Sequence, residues 1–147
     1  MDLERAANDD RRRLVDQLVD HEGLRRYAYV DTVGKITIGV GRNLTDKGIT
    51  DTEALYLLDH DLNETITDLT GFAWFPVLDA GRQRALADLR FQVGPVGFRG
   101  FRQMIHALAV KNYAQAALEL RRSRWATQVG PERREHVIAL LTTGLDP

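Results

Sequence analysis

The chain has 147 residues, the size of one ordinary domain, and 44% of them are hydrophobic against 28% charged, which excludes global disorder. It contains no Cys, so disulfide staples and thiolate chemistry are excluded as well, and a chain of this length can bury enough apolar surface without them. The net charge of −1 is unevenly spread, with residues 1–74 at −6 and residues 75–147 at +5. Arg121, Arg122, Arg124, Arg133 and Arg134 would dominate a basic face that could meet an anionic polymer. The aromatic residues do not interleave with these arginines as base-stacking platforms would, so the pattern argues against nucleic acid.

The start, Met1-Asp2-Leu3-Glu4-Arg5, is acidic and has no apolar run, so it reads as lacking a secretory leader, and no stretch approaches 18 apolar residues. Residues 11–22 read as a helix with an apolar stripe of Leu14, Val15, Leu18 and Val19. Glu22 falls on or beside that stripe, and Gly23 suits a helix stop. Residues 27–41 read as a small β-hairpin or meander turning at Val33-Gly34-Lys35. Beyond the turn Ile36, Ile38 and Val40 share one face, while the other carries only Thr37, Gly39 and Gly41 and leaves room for a ligand.

Thr50-Asp51-Thr52-Glu53 has the capping-box pattern, and the helix it starts runs to about Leu69 with Ala54, Leu58, Leu62 and Leu69 expected to be buried. Asp79 is the predicted N-cap of a helix to about Gln92, which Gly94-Pro95 breaks. Phe101, Met104, Ile105 and Leu108 mark another helix, and Ala114 to Leu120 the next. Pro131 sits at a first helical position of a final helix that buries Val137, Ile138 and Leu141 and stops at Gly144. Trp74, Trp125 and Met104 are predicted core residues. Together these elements make a mainly α protein of α+β type, with one small β element near its beginning.

Four scattered His offer no ligand spacing for zinc, Gly39-Val40-Gly41 is not followed by the residues of a phosphate loop, and Ser123 has no elbow glycines. Carboxylates are left. Burial on the helix stripe would raise the pKa of Glu22, as a general acid needs. Asp31, nine residues on and beside Thr32, would stay ionised. Two carboxylates pushed apart in pKa suit glycosidic cleavage, with Thr37 placed to hold a water, although a Glu and an Asp at this spacing occur in most proteins.

The residues narrow this reading. His21-Glu22-Gly23-Leu24-Arg25, Tyr29-Val30-Asp31-Thr32-Val33-Gly34 and Thr37-Ile38-Gly39-Val40-Gly41 resemble the catalytic segment of phage lysozymes of the T-even type, glycoside hydrolase family 24. The likeness continues through Phe91-Gln92-Val93-Gly94, Gly97-Phe98, Ser123-Arg124-Trp125 and Arg133 to Thr142-Thr143-Gly144, about residues 14–144. It implies a two-lobed lysozyme-like fold with a cleft between the lobes: one lysozyme domain over 1–147, with a small β lobe at about 24–52, a helical lobe of 11–22 plus 70–147, and a connecting helix at 50–69. It implies inverting hydrolysis of the β-1,4 bond between N-acetylmuramic acid and N-acetylglucosamine, with no cofactor or metal. It gives Glu22 as general acid, Asp31 as the carboxylate that activates water, and Thr37 as its partner.

Gly39, Gly41, Phe91, Gln92, Arg124 and Glu119 would contact the glycan, and Arg133 would approach Glu22 and temper the rise in its pKa. The sequence departs from the family at Arg42, where His is usual, and an Arg42–Asp61 ion pair is the expectation. The segment Leu44 to Thr50 is short for the family. The partner implied is bacterial peptidoglycan, met by a monomer made in a host cytoplasm and let through by a phage membrane-pore protein, with no nucleic acid and no membrane insertion. Rival readings are a chitinase-like glycosidase, a binding protein that reuses the fold, and a polyanion-binding helical domain that uses the basic C-terminal half.

Overall fold

The computed structural model describes residues 3–147; Met1 and Asp2, the first residues of the acidic start, lie outside the described residues. By contacts the chain divides into two compact units, Met1–Ala54 and Leu55–Pro147. The expected grouping placed residues 11–22 with the helical part, but the helix that contains them falls in the first unit.

That helix, α1, spans Leu3–Glu22, eight residues longer at its start than the periodicity predicts, because no Gly or Pro interrupts it before Gly23. Gly23 ends it at φ +76°, a conformation only glycine adopts without strain, with its N–H on Val19 O at 2.8 Å. The strands β1 (Arg25–Val30), β2 (Ile36–Gly39) and β3 (Arg42–Asn43) form an antiparallel sheet in the order β1-β2-β3. Tyr29 lies opposite Thr37 and Arg25 opposite Gly39, with a register shift between the two pairs. A short helix, α2 (Leu44–Lys47), follows at once, capped by Asn43, whose side chain accepts from the Asp46 N–H. The sequence gives no period for this one-turn element.

The apolar stripe of α1 is not buried as expected: Leu14 and Val15 are half exposed and Leu18 is 43% exposed. Among the described residues of the first unit, Thr37 alone is buried. Three short strands offer a 20-residue helix too little surface to cover it, so this unit has no apolar core of its own.

The helix α3 (Asp51–Thr70) starts with the predicted capping box: Thr50 Oγ1 accepts from the Glu53 N–H, and Glu53 Oε1 accepts in return from the Thr50 N–H. Leu69 is fully buried, but Ala54, Leu58 and Leu62 are exposed, contrary to the expected stripe. Only the last turns of α3, from Thr65 on, carry residues of the core.

In the second unit α4 (Ala80–Arg99) is capped by Asp79 as predicted and breaks at Gly94, where φ is +78°. Then come α5 (Arg102–Ala109), α6 (Tyr113–Arg122), α7 (Arg124–Gln128) and α8 (Pro131–Thr143). The five-residue α7 is too short to show a helical period and is absent from the sequence reading. Trp74, Trp125, Met104, Val137, Ile138 and Leu141 are all in the core, with Phe98, Leu86 and Leu89 at its centre.

Two features lock this unit. Arg82 Nε and Nη2 donate to Leu141 O and Thr142 O, satisfying carbonyls that the end of α8 leaves free, while its guanidinium stacks on Tyr113. Asp68, at the end of α3, accepts from Arg90 at 2.6 Å and from Arg99 at 2.7 Å, and the Arg90 residue is only 5% exposed.

These guanidiniums, Arg99 first and then Arg90, hold the Asp68 carboxyl at about 2 against an ordinary 3.8. Because this pKa is depressed on folding, the stabilisation is complete above the ordinary value and is lost as pH falls toward 2. Asp68→Asn is expected to cost about 2 kcal/mol in urea unfolding at pH 7, with the gap to wild type closing as the pH is taken from 4 toward 2. A gap independent of pH would show that the charge plays no part.

Candidate active site

Glu22 is the last residue of α1, brought to the sheet by the turn at Gly23. Its carboxyl lies against Gly41: a Cβ built there would stand 3.1 Å from Glu22 Oε2 and 3.2 Å from Cδ. Gly41 is therefore required both for its φ of +68° and for the space it leaves. Glu22 is exposed, and the apolar surround expected from the helix stripe is not formed around it. No hydrogen bond or ion pair engages its carboxyl among the described residues.

Asp31 sits where β1 leaves the sheet. Its Oδ1 accepts from the N–H groups of Lys35 at 2.8 Å and Val33 at 3.0 Å, and its Oδ2 faces Thr37 Oγ1 at 3.4 Å. The backbone closes the same turn, from Asp31 N–H to Lys35 O and from Gly34 N–H to Asp31 O. Hydrogen bonds to the ionised form, that of the Lys35 N–H foremost, hold the Asp31 carboxyl below its ordinary value of 3.8. Thr37 is 4% exposed and lies between Tyr29 and Asn43 in the sheet register. Its hydroxyl is also 3.4 Å from Lys35 O, so two acceptors share one proton. The structure thus brings Asp31 and Thr37 together directly and sets Glu22 on Gly41 in the same unit. Gly39 also has φ +68°, with open space where a side chain would stand.

Arg42 pairs with Glu53, Nη1 to Oε2 at 2.7 Å, and donates to Gly48 O. This corrects the expected Arg42–Asp61 pair. The end of the sheet meets the first turn of α3, where the capping box already fixes Glu53; Asp61 lies eight residues further on, about 12 Å along the helix.

In the second unit, Phe91 is 42% exposed and lines a groove of about 340 Å³ with Leu58, Leu62, Asp88 and Arg133. Arg133 is paired there with Asp88 at 2.6 Å. Gln92 Oε1 accepts from the Trp125 indole N–H at 2.8 Å, which fixes the amide. Glu119 Oε1 accepts from Gln115 and lines a different groove, of about 380 Å³, with Arg102, Arg122 and Ser123. Arg124 is exposed at the start of α7. The expected basic face is partly neutralised, because Arg121 and Arg134 both pair with Glu135.

Sequence reasoning missed the Val33 and Lys35 amides that bind Asp31. The signal was present: an Asp opening a turn three residues before Gly is a frequent side-chain-to-backbone hydrogen-bonding pattern. Among the described residues no three His, Asp or Glu are placed as a metal ligand set, and no helix is long and apolar enough to cross a membrane.

A mainly helical chain whose small sheet carries a bound carboxylate, a hydroxyl and two glycines, with an unpaired carboxyl at the preceding helix end, has the makings of a lysozyme-like glycoside hydrolase. The phage lysozyme family profile matches residues 19–140, and the chain belongs to that family. It is similar to the probable T4-type lysozyme 2 of Dictyostelium discoideum, 28% identical with 89% of this chain and 94% of that protein covered. It is similar also to the probable T4-type lysozyme 1 of the same organism, at 26% with 88% and 93% covered. A third relative is the pre-baseplate central spike protein Gp5 of Enterobacteria phage T4, 28% identical over 90% of this chain but only 28% of the spike protein.

Proposed function

We propose that this lysozyme hydrolyses the β-1,4 bond between N-acetylmuramic acid and N-acetylglucosamine in bacterial peptidoglycan, with inversion, and so lyses cells. The observation that carries the reading is the contrast between the two carboxyls. Asp31 is bound by two amides and faces a hydroxyl, which favours its ionised form, whereas the Glu22 carboxyl has no hydrogen-bond or ion-pair partner among the described residues. Glu22 gives its proton to the glycosidic oxygen as that bond breaks. A water held by Asp31 and Thr37 attacks the anomeric carbon from the opposite side, and its proton passes to Asp31. One product ends in a reducing N-acetylmuramic acid, the other in a free 4-hydroxyl.

Gly39 and Gly41 leave the sheet face bare for the sugar backbone. Phe91, Gln92, Glu119 and Arg124 are the further residues proposed to contact the glycan, with Arg133 and Arg42 as supporting residues. The protein acts as a monomer on the wall, after synthesis in a host cytoplasm and passage through a membrane opened by a pore-forming partner.

Mass spectrometry of fragments released from isolated peptidoglycan tests the bond, and the anomer first formed, read by proton NMR, tests inversion. Reducing N-acetylglucosamine ends would overturn the assignment of the bond. Because Asp31 must be ionised and its pKa is depressed, activity on the acid side is expected to persist below pH 3.8 and to fall only as Asp31 gains a proton. Asp31→Asn should abolish turnover across the whole profile. An acid limb centred at or above 3.8 in wild type would show that Asp31 is not the base.

A further inference from the structure

We propose that Arg25, set over the ring of Tyr29, is a specificity-determining cation that reads a carboxylate on the peptide stems of the wall polymer; this rests on the site reading given above. Arg25 Cζ stands 4.3 Å from the centroid of the Tyr29 ring. Residues four apart in a regular strand do not meet. Here the register shift between Arg25 and Tyr29, where a four-residue step faces a two-residue step from Gly39 to Thr37, brings them together. Directly opposed residues of an antiparallel pair project to the same side of a sheet, so Tyr29 shares the face of Thr37, and Arg25 shares the face left bare at Gly39. The stacked guanidinium therefore lies on the same sheet face as Thr37, whose hydroxyl faces Asp31.

The cation is also uncommitted. Lys35 and Arg42 are paired with Asp46 and Glu53, whereas Arg25 and its neighbour Arg26 have no carboxylate partner among the described residues, and of these two Arg25 is the one set over a ring. A guanidinium over an aromatic ring is attracted through its charge and consumes none of its N–H donors, which stay available to a carboxylate that can take two parallel hydrogen bonds. In the intact wall the lactyl carboxyl of N-acetylmuramic acid is tied up as an amide to the stem, so the free carboxylates of the polymer are those of the peptide stems. Residues 1–54 hold 9 Lys+Arg against 11 Asp+Glu, a net −2, so long-range attraction would not bring an acidic stem to this unit, and a local, oriented cation is the means left.

The test compares Arg25→Gln with wild type on two substrates, intact peptidoglycan and the same wall with its free carboxylates converted to neutral amides by carbodiimide and ammonia. KM for intact wall is expected to rise about three- to tenfold, with Arg25→Lys between, while KM for the amidated wall moves less than twofold. Arg26→Gln, on the next residue of the strand, serves as the control. Co-sedimentation of Glu22→Gln proteins with intact walls, with and without Arg25→Gln, gives the same comparison without turnover. Equal effects on both substrates, or none on intact wall, overturn the proposal. An inactive wild type instead overturns the site reading itself, and the co-sedimentation arm still decides on Arg25.

Discussion

Glu22→Gln is expected to reduce release of reducing ends from peptidoglycan by about a thousandfold or more, with no change in the urea midpoint. The amide keeps the shape of the side chain and its contact with Gly41 but has no proton to give the leaving oxygen. General acid catalysis contributes roughly 10²–10⁴ in rate, and a sugar alkoxide leaves poorly without it. Glu22 is exposed and makes no ion pair among the described residues, so the substitution removes no contact described there beyond the one the amide preserves. The pairing of the two results is what matters: lost turnover with an unchanged midpoint assigns chemistry to Glu22. Full activity in the variant would show that the proton comes from elsewhere.

The largest effect on stability is expected in the second unit, at Gly81. A Cβ there would stand only 1.8 Å from Gly144 O and 2.5 Å from Gly144 C, both backbone atoms that cannot swing away. Gly144 is itself fixed at φ +74° as the end of α8, hydrogen-bonded to Leu140 O and pressed against Asp79. Moving it would also pull Leu141 O and Thr142 O away from Arg82. Gly81→Ala is therefore expected to cost about 3–5 kcal/mol in urea unfolding, although alanine favours helices over glycine. Gly71→Ala, whose Cβ would meet the single atom Asp68 O at 3.2 Å, is the milder comparison. A gain in stability at Gly81 would mean that the junction of α4 with the end of α8 relaxes freely.

Much of this was legible in the sequence, for local reasons. The capping box at Thr50, the Asp79 cap, Pro131 at a helix start and the glycine at 144 are short-range signals, and each marks the end it should. The core tryptophans were legible from their large apolar area alone, since Trp74 stands between α3 and α4 and Trp125 sits in a helix too short to show a period. The stripes on α1 and α3 misled for the opposite reason. Periodicity tells which residues of a helix share a face, and says nothing about whether another element covers it. The partner of Arg42 was missed because Glu53 and Asp61 lie on one helix, and only the placement of the sheet end chooses between them. At the site, the order of Glu22, Asp31 and Thr37 was visible; the amides that bind Asp31 and the stacking of Arg25 on Tyr29 depend on the turn and the strand irregularity.

The absence of an apolar core in the first unit has a calorimetric consequence. The heat-capacity increase on unfolding comes from apolar surface newly wetted, and nearly all such surface lies in Leu55–Pro147, in the cluster around Phe98, Leu86 and Leu89. The curvature of stability with temperature therefore belongs to the helical unit. The unit that carries Glu22, Asp31 and Thr37 is held by hydrogen bonds, turns and ion pairs, whose strength does not fade on cooling as apolar association does. The proposed chemical centre sits in the part of the chain least exposed to cold weakening, while the helical unit sets the thermal ceiling.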